Sequence, residues 1–425
     1  MFKESNRIIV VDNEQNDLDK IAHEFNLKGI GCRTILYDGI TFPEEPYTDV
    51  RLAFFDVNLG QASSDQEKYA VLEDAIKAYI SEKNGPFVLI FWTNNAAWKD
   101  GFVKYINRDQ DNIIRKNIKP YYISIIDKTS ISETNTLESM LEKQLGDQIV
   151  ESCLNFDELL REASDKAFNK LLSIIPNGES WGDTNVFEEN LKKVFAKIAM
   201  SSWGQSNAKE NPDGAINEAL IPIVSHSLPN GDIWSKFLTK DKDLFDYSKL
   251  NKDPLFKTGN ILLRLNNYFH IEEDENINIE SRGVVIKLKS DDSFKNQFNI
   301  DFKDWKATEF KDVSNLEKAF PIAVEISAAC DYSQQKKRCL KYLMGIGNDQ
   351  LIKIKDNKKN ISTFEDICFQ YNGMKLYIAL DFNYIFVDYD HSIIDSTLFR
   401  FKKEMMDMIG NQYANHISRI GITKF

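Results

Sequence analysis

Apolar residues gather in short runs over the first 130 positions. RIIVVD (residues 7–12) is rich in Ile and Val and bounded by polar residues, the pattern of a buried parallel strand. Similar runs cover Cys32 to Tyr37, Leu52 to Phe55, Phe87 to Trp92 and Tyr121 to Ile126. Between them the period lengthens. Leu18, Ile21, Ala22 and Phe25 recur at helical spacing within 17–29, as do Tyr69, Leu72, Ile76, Tyr79 and Ile80 within 69–80. This alternation predicts an α/β domain built on a doubly wound, five-stranded parallel sheet. In such sheets the crevice that does chemistry lies at the carboxyl ends of the strands.

The pattern then changes twice. Phe156, Leu159, Leu160, Ala163, Ala167, Leu171 and Ile174 mark one amphipathic helix, and Phe187, Leu191, Val194, Phe195, Ile198 and Trp203 a second. The polar stretch from Gln205 to Gly214 reads as a loop. Beyond residue 256, runs at Val284–Leu288, Ile322–Ile326, Leu351–Lys355, Lys375–Leu380 and Tyr384–Tyr389 predict an antiparallel sheet or small barrel. A closing helix is expected from about Ser396 to Ile417. Its apolar stripe is Leu398, Phe401, Met405, Met408 and Ile409, with Arg400, Lys402 and Lys403 on the polar side. The chain thus divides into an α/β domain (1–130), a helical connector (131–255) and a β-rich, α+β domain (256–425).

Composition narrows the function. The 425 residues carry a net charge of −12, so no overall positive field attracts nucleic acid. No run approaches the length of a membrane span, and no leader-like segment opens the chain, so a cytoplasmic protein is expected. Cys32, Cys153, Cys330, Cys339 and Cys368 are scattered without zinc-site spacing and are expected to be reduced thiols.

Candidate chemistry sits where the strands end. Asp12, Asn13 and Glu14 follow the first strand, Asp56 the third, Thr93 the fourth and Lys128 the fifth. One folding rule would bring them to one crevice. VVDNE resembles the acidic cluster that opens bacterial receiver domains of response regulators. FFDVNLG resembles the segment with their phosphoacceptor aspartate, FWTN the strand with the switch hydroxyl and IIDK the strand with the family lysine. The resemblance covers roughly residues 7–130 and implies a receiver/flavodoxin-like fold. It implies Asp56 as the nucleophile for a phosphohistidine or small phosphodonor. It further implies Mg²⁺ on Asp12, Asn13, Glu14 and Asp56, Lys128 on the phosphoryl oxygens, and Thr93 as the group that reports phosphorylation to a two-state surface. Asn13 stands where the family usually has a second acid, and Thr129 where it usually has proline. Two readings therefore stay open: conditional phosphorylation, and a degenerate receiver used for docking.

A second segment, VEISAACDYSQQKKRCLKYLMG (324–345), resembles a Ser-x-x-Cys-Asp motif of poorly characterised β-rich bacterial domains, with Ser327, Cys330, Asp331 and Gln334 as the matching residues. It admits a Cys nucleophile helped by Asp331 and His391 or His416, or a metal-dependent nuclease cluster of Glu325, Asp331 and Lys336. It equally admits a buried Cys330 beside a helix-capping Asp331. The resemblances imply a bacterial response-regulator-like protein of a two-component phosphorelay. It would couple a histidine-kinase-like or GHKL-type ATPase partner to an output by protein contact, in a defence or stress module, with a homodimer allowed. The alternatives are a receiver-gated hydrolase or nuclease and a non-phosphorylated adaptor.

Overall fold

A computed structural model describes residues 7–60, 63–93, 97–132, 136–145, 149–176, 184–228, 234, 245–250, 252–258, 260–273, 277–328, 339–356, 358–364, 367–388 and 391–418. Contacts divide the chain into two units, residues 1–165 with 228–241, and residues 166–227 with 242–425.

In the first unit β1 (Ile8–Asp12), β2 (Arg33–Leu36), β3 (Leu52–Asp56), β4 (Phe87–Trp92) and β5 (Pro120–Ile126) form an all-parallel sheet in the order β2-β1-β3-β4-β5. Its central strands are buried on both faces, which is why they read as unbroken apolar runs rather than alternating ones. On one face Val10, Phe54, Ile90 and Trp92 pack with Leu18, Ile21 and Phe25 of α1 (Gln15–Leu27) and with Leu137 and Leu145 of α5 (Leu137–Leu145). On the other, Ile9, Val11, Phe55, Leu89 and Phe91 pack with α2 (Asp65–Tyr79) and α3 (Trp98–Arg108). Ser64 starts α2 with a capping box, its hydroxyl accepting from the Glu67 N–H. No helix joins β2 to β3. Residues 37–51 form a loop whose Tyr37, Phe42 and Tyr47 pack in an aromatic chain onto Tyr79, with Tyr37 and Tyr47 against the core on the sheet face that carries α2.

The middle of the chain is helical: α6 (Ile149–Ser173), α7 (Thr184–Trp203), α8 (Gln205–Glu210) and α9 (Pro212–His226). The segment Gln205–Gly214 is therefore not the loop its polarity predicts. Gly204, at φ +79°, turns the chain out of α7. Asn211 then caps α9, its side chain accepting from the Gly214 N–H, with Pro212 in the first turn. Polarity there reports one solvated helix face; Ala208 and Ala215 are buried on the other.

The second unit carries an antiparallel sheet with the order β10-β12-β9-β8-β7-β13-β6 among the described residues, β11 pairing with β12. The strands are β6 (Ile271–Glu272), β7 (Val284–Leu288), β8 (Phe320–Glu325), β9 (Leu340–Asn348), β10 (Ile361–Ser362), β11 (Cys368–Tyr371), β12 (Met374–Asp388) and β13 (Ile394–Phe401). Three expectations are revised here. Leu351–Lys355 is not a ladder strand; only Ile354 bridges, to Phe310, and the apolar alternation reflects Ile352 turning inward. The expected strands at Lys375–Leu380 and Tyr384–Tyr389 are one strand, β12, interrupted by a register shift between Leu380 and Ile385. The closing helix is α15 (Lys403–Ile417), preceded by α10 (Tyr247–Leu250), α11 (Pro254–Thr258), α12 (Ile261–His270), α13 (Asp291–Phe298) and α14 (Phe302–Glu309). Leu398 and Phe401 belong instead to β13, whose pairing with β7 buries them.

Close packing makes β9 intolerant of added bulk. A Cβ on Gly345 would lie 2.4 Å from the Ala379 carbonyl oxygen and 2.6 Å from Leu380 Cδ2. Gly345→Ala is expected to destabilise the sheet by about 1–3 kcal/mol. Faster amide exchange in β9 and β12 peptides checks this; unchanged exchange refutes it.

Candidate functional site

At the carboxyl rim of the parallel sheet, the ammonium of Lys128 lies among three carboxylates. Its Nζ is 2.6 Å from Asp12 Oδ2, 3.1 Å from Asp17 Oδ2 and 3.1 Å from Asp56 Oδ2. Each group arrives by a separate route. Asp12 ends β1, Asp56 ends β3, and Lys128 stands two residues past β5. Asp17 sits in the first turn of α1, where a carboxylate also favours the helix N-terminus. Asp12 and Asp56 are buried, whereas Asp17 keeps part of its surface in water.

Burial lifts the Asp12 carboxyl above its ordinary range, even though Lys128 and the Glu14 N–H (2.9 Å) both donate to it. Burial also works against the Lys128 ammonium. The hydrogen bond to Asp12 and the charges of Asp56 and Asp12 outweigh that cost and hold its pKa above the ordinary lysine value. Burial presses upward on the Asp17 carboxyl as well, but hydrogen bonds from Lys20 (2.9 Å) and Lys128 bring it below the usual range.

The site is short of positive charge. With all groups ionised, two ammonium groups, Lys128 and the exposed Lys20 on Asp17, face three carboxylates, and buried excess charge is costly. Asp56 Oδ1 is buried and accepts no hydrogen bond among the described residues. A hard divalent cation suits this donor set: oxygen ligands, surplus negative charge and an unsatisfied carboxylate oxygen. The carboxylates gather around the lysine rather than around a common centre. Among the described residues, no group of three or more acidic, histidine or cysteine side chains is spaced as a ready-made ion cage.

The other expected residues fall as follows. Thr93 is buried one position beyond Trp92, the strand partner of Asp56, and its N–H donates to the Ile126 carbonyl at 3.0 Å. Asn13 and Glu14 are exposed. Neither side chain hydrogen-bonds to Asp12, Asp17, Asp56 or Lys128 among the described residues; Glu14 contributes its backbone N–H. Asp17 is the acid that strand-end reasoning passes over. Its signal was present in the chain, as the acid nearest Asp12 on the first turn of the following helix.

In the second unit Ser327 is buried. Its N–H donates to Glu325 Oε1 at 3.1 Å, and its carbonyl accepts from Arg282 Nε at 3.1 Å. Cys330, Asp331, Gln334 and Lys336 lie outside the described residues. His416 Nε2 is 3.0 Å from Asn383 Oδ1, while His391 Nδ1 stands 3.9 Å from Asp388 Oδ2.

No protein-family model matches this chain, and no curated protein sequence does either. Among the described residues, no helix is long and apolar enough to cross a membrane.

Proposed function

We propose that the first unit is a receiver-like phosphoacceptor module with Asp56 as the nucleophile. One observation carries the reading: Asp12, Asp56 and Lys128 meet at the carboxyl rim of a parallel sheet, with Asp56 Oδ1 buried and unsatisfied. The order β2-β1-β3-β4-β5 supports a flavodoxin-like, doubly wound class, in which ligands bind at that rim.

The roles follow from charge. A carboxylate oxygen of Asp56 attacks the phosphorus of a phosphohistidine or acyl phosphate; the new O–P bond forms as the donor's P–N or P–O bond breaks. Lys128 neutralises the incoming phosphoryl oxygens. Asp12 and Asp56 would hold Mg²⁺, which supplies charge neutralisation at the transferring phosphoryl group. Asp17 replaces the charge that Asn13 and Glu14 do not bring. Thr93 is the hydroxyl beside the acceptor that senses the new group and biases a neighbouring surface. A histidine-kinase-like or GHKL-type ATPase is the proposed donor, and the remainder of the chain the proposed output, acting by protein contact in a bacterial defence or stress module.

Incubation with Mg²⁺ and acetyl phosphate, followed by intact mass measurement, tests the reading. One added phosphoryl group is expected on the wild-type chain and none on Asp56→Asn. Absence of the adduct under donor excess overturns phosphotransfer and favours the docking module, in which Lys128 permanently fills the acidic crevice.

A further inference from the structure

The first unit also contains a cavity that the rim chemistry leaves unused. It lies on the sheet face opposite α1, between β4, β5, α3 and α4 (Ile113–Asn117), and has a volume of about 370 Å³. Its walls include Leu89, Phe102, Ile106, Ile114 and Ile118, all buried members of the core. It opens to solvent at one side. Its volume falls in the range of roughly 300–1,000 Å³ typical of small-molecule sites. An apolar occupant would displace water from the accessible part of its apolar lining.

The rim gives the occupant its polarity. Arg115 and Lys119 border the cavity, and no Asp or Glu lines it, in a chain whose net charge is −12. Neither cation makes an ion pair among the described residues. Among the described residues the Arg115 guanidinium donates only to the Asp109 carbonyl, at 3.5 Å. The amide of Asn107, also at the cavity, turns back on the Val103 carbonyl at 2.9 Å.

We infer that this cavity binds an amphipathic monocarboxylate, its chain among Leu89, Phe102, Ile106 and Ile114 and its carboxylate between Arg115 and Lys119. The apolar walls supply affinity by burying the chain. The two cations select an anionic head over a neutral or positive one, because only an anion gains a charge-assisted contact there.

Titration of the full-length protein with decanoate, decanol and decylammonium, read by calorimetry and by thermal shift, tests the assignment. Saturable one-to-one binding of decanoate is expected, with a raised melting temperature, at least tenfold weaker binding of decanol and none of decylammonium. Arg115→Glu combined with Lys119→Glu changes two exposed positions and is expected to weaken decanoate at least tenfold. Ile106→Trp, which fills the cavity, is expected to abolish binding of both decanoate and decanol. The assignment is overturned if decanoate fails to saturate, if decylammonium binds as well as decanoate, or if the charge-reversed protein binds decanoate unchanged.

Discussion

Lys128→Met is expected to loosen the first unit by about 3–5 kcal/mol, the usual loss when a buried ion pair is stripped of one partner. Asp12 has no exposed surface and Asp56 very little, so their charges would face each other without the ammonium that lies 2.6 Å and 3.1 Å from them. Two further results are expected together. Mg²⁺ should recover much of the loss, because a divalent cation compensates the same carboxylates and binds only the folded crevice. Asp56→Asn in the Lys128→Met background should recover part of it without metal, by removing one repelling charge. Amide exchange in β1 and β3 peptides, measured with and without MgCl₂, reads all three. A loss below about 1 kcal/mol, or one insensitive to both Mg²⁺ and Asp56→Asn, refutes the charge argument. The pH dependence has a fixed sign. Lys128 has a raised folded pKa, so its contribution is complete below the ordinary lysine value and fades as pH rises through the folded one. On the alkaline side, wild type and Lys128→Met should therefore converge only as pH rises through the folded lysine value.

Trp305→Ala is expected to be the most damaging single change in the second unit. Trp305 is buried against Phe294, Phe302 and Phe310, with ring centroids 5.0–5.4 Å away. Losing the ring costs about 3–5 kcal/mol in transfer and cavity energy. Its Nε1 also donates to Asp381 Oδ2 at 3.1 Å. Asp381 is buried, and burial has already raised its carboxyl above the ordinary range despite hydrogen bonds from Asn360 and the Asn383 N–H. Removing a donor from such a group adds about 1–3 kcal/mol. Trp305→Phe separates the two contributions, since it keeps most of the ring and loses the N–H. It should cost less than half as much as Ala in a thermal or urea melt followed at β12 peptides. If Phe and Ala prove equally harmful, the hydrogen bond governs and the packing argument fails.

Both regions show how far the chain alone can be read. The central strands β1, β3 and β4 and their carboxyl ends were legible because a strand buried on both faces must be apolar throughout, and its first polar residue marks the rim. That placed Asp12 and Asp56 at strand ends and Lys128 just past one. Glu14 and Asn13 were drawn in by adjacency, yet backbone direction after β1 turns their side chains outward, while the first turn of α1 swings Asp17 back to Lys128. Helical rotation of that kind is a three-dimensional fact.

In the second unit the ambiguity lay in the period. LFRFKKEMMDMI carries apolar residues that satisfy helical spacing from Leu398 onward, and no local signal separates the strand ending at Phe401 from the helix starting at Lys403. Pairing of β13 with β7 decides it, because ladder hydrogen bonds and the burial of Leu398, Phe399 and Phe401 outweigh a weak local preference. Local pattern settled which segments are buried, since burial needs only apolar side chains in sequence. Which segments pair, and which polar groups share one crevice, waited on contacts between residues more than a hundred positions apart, such as Lys128 with Asp12.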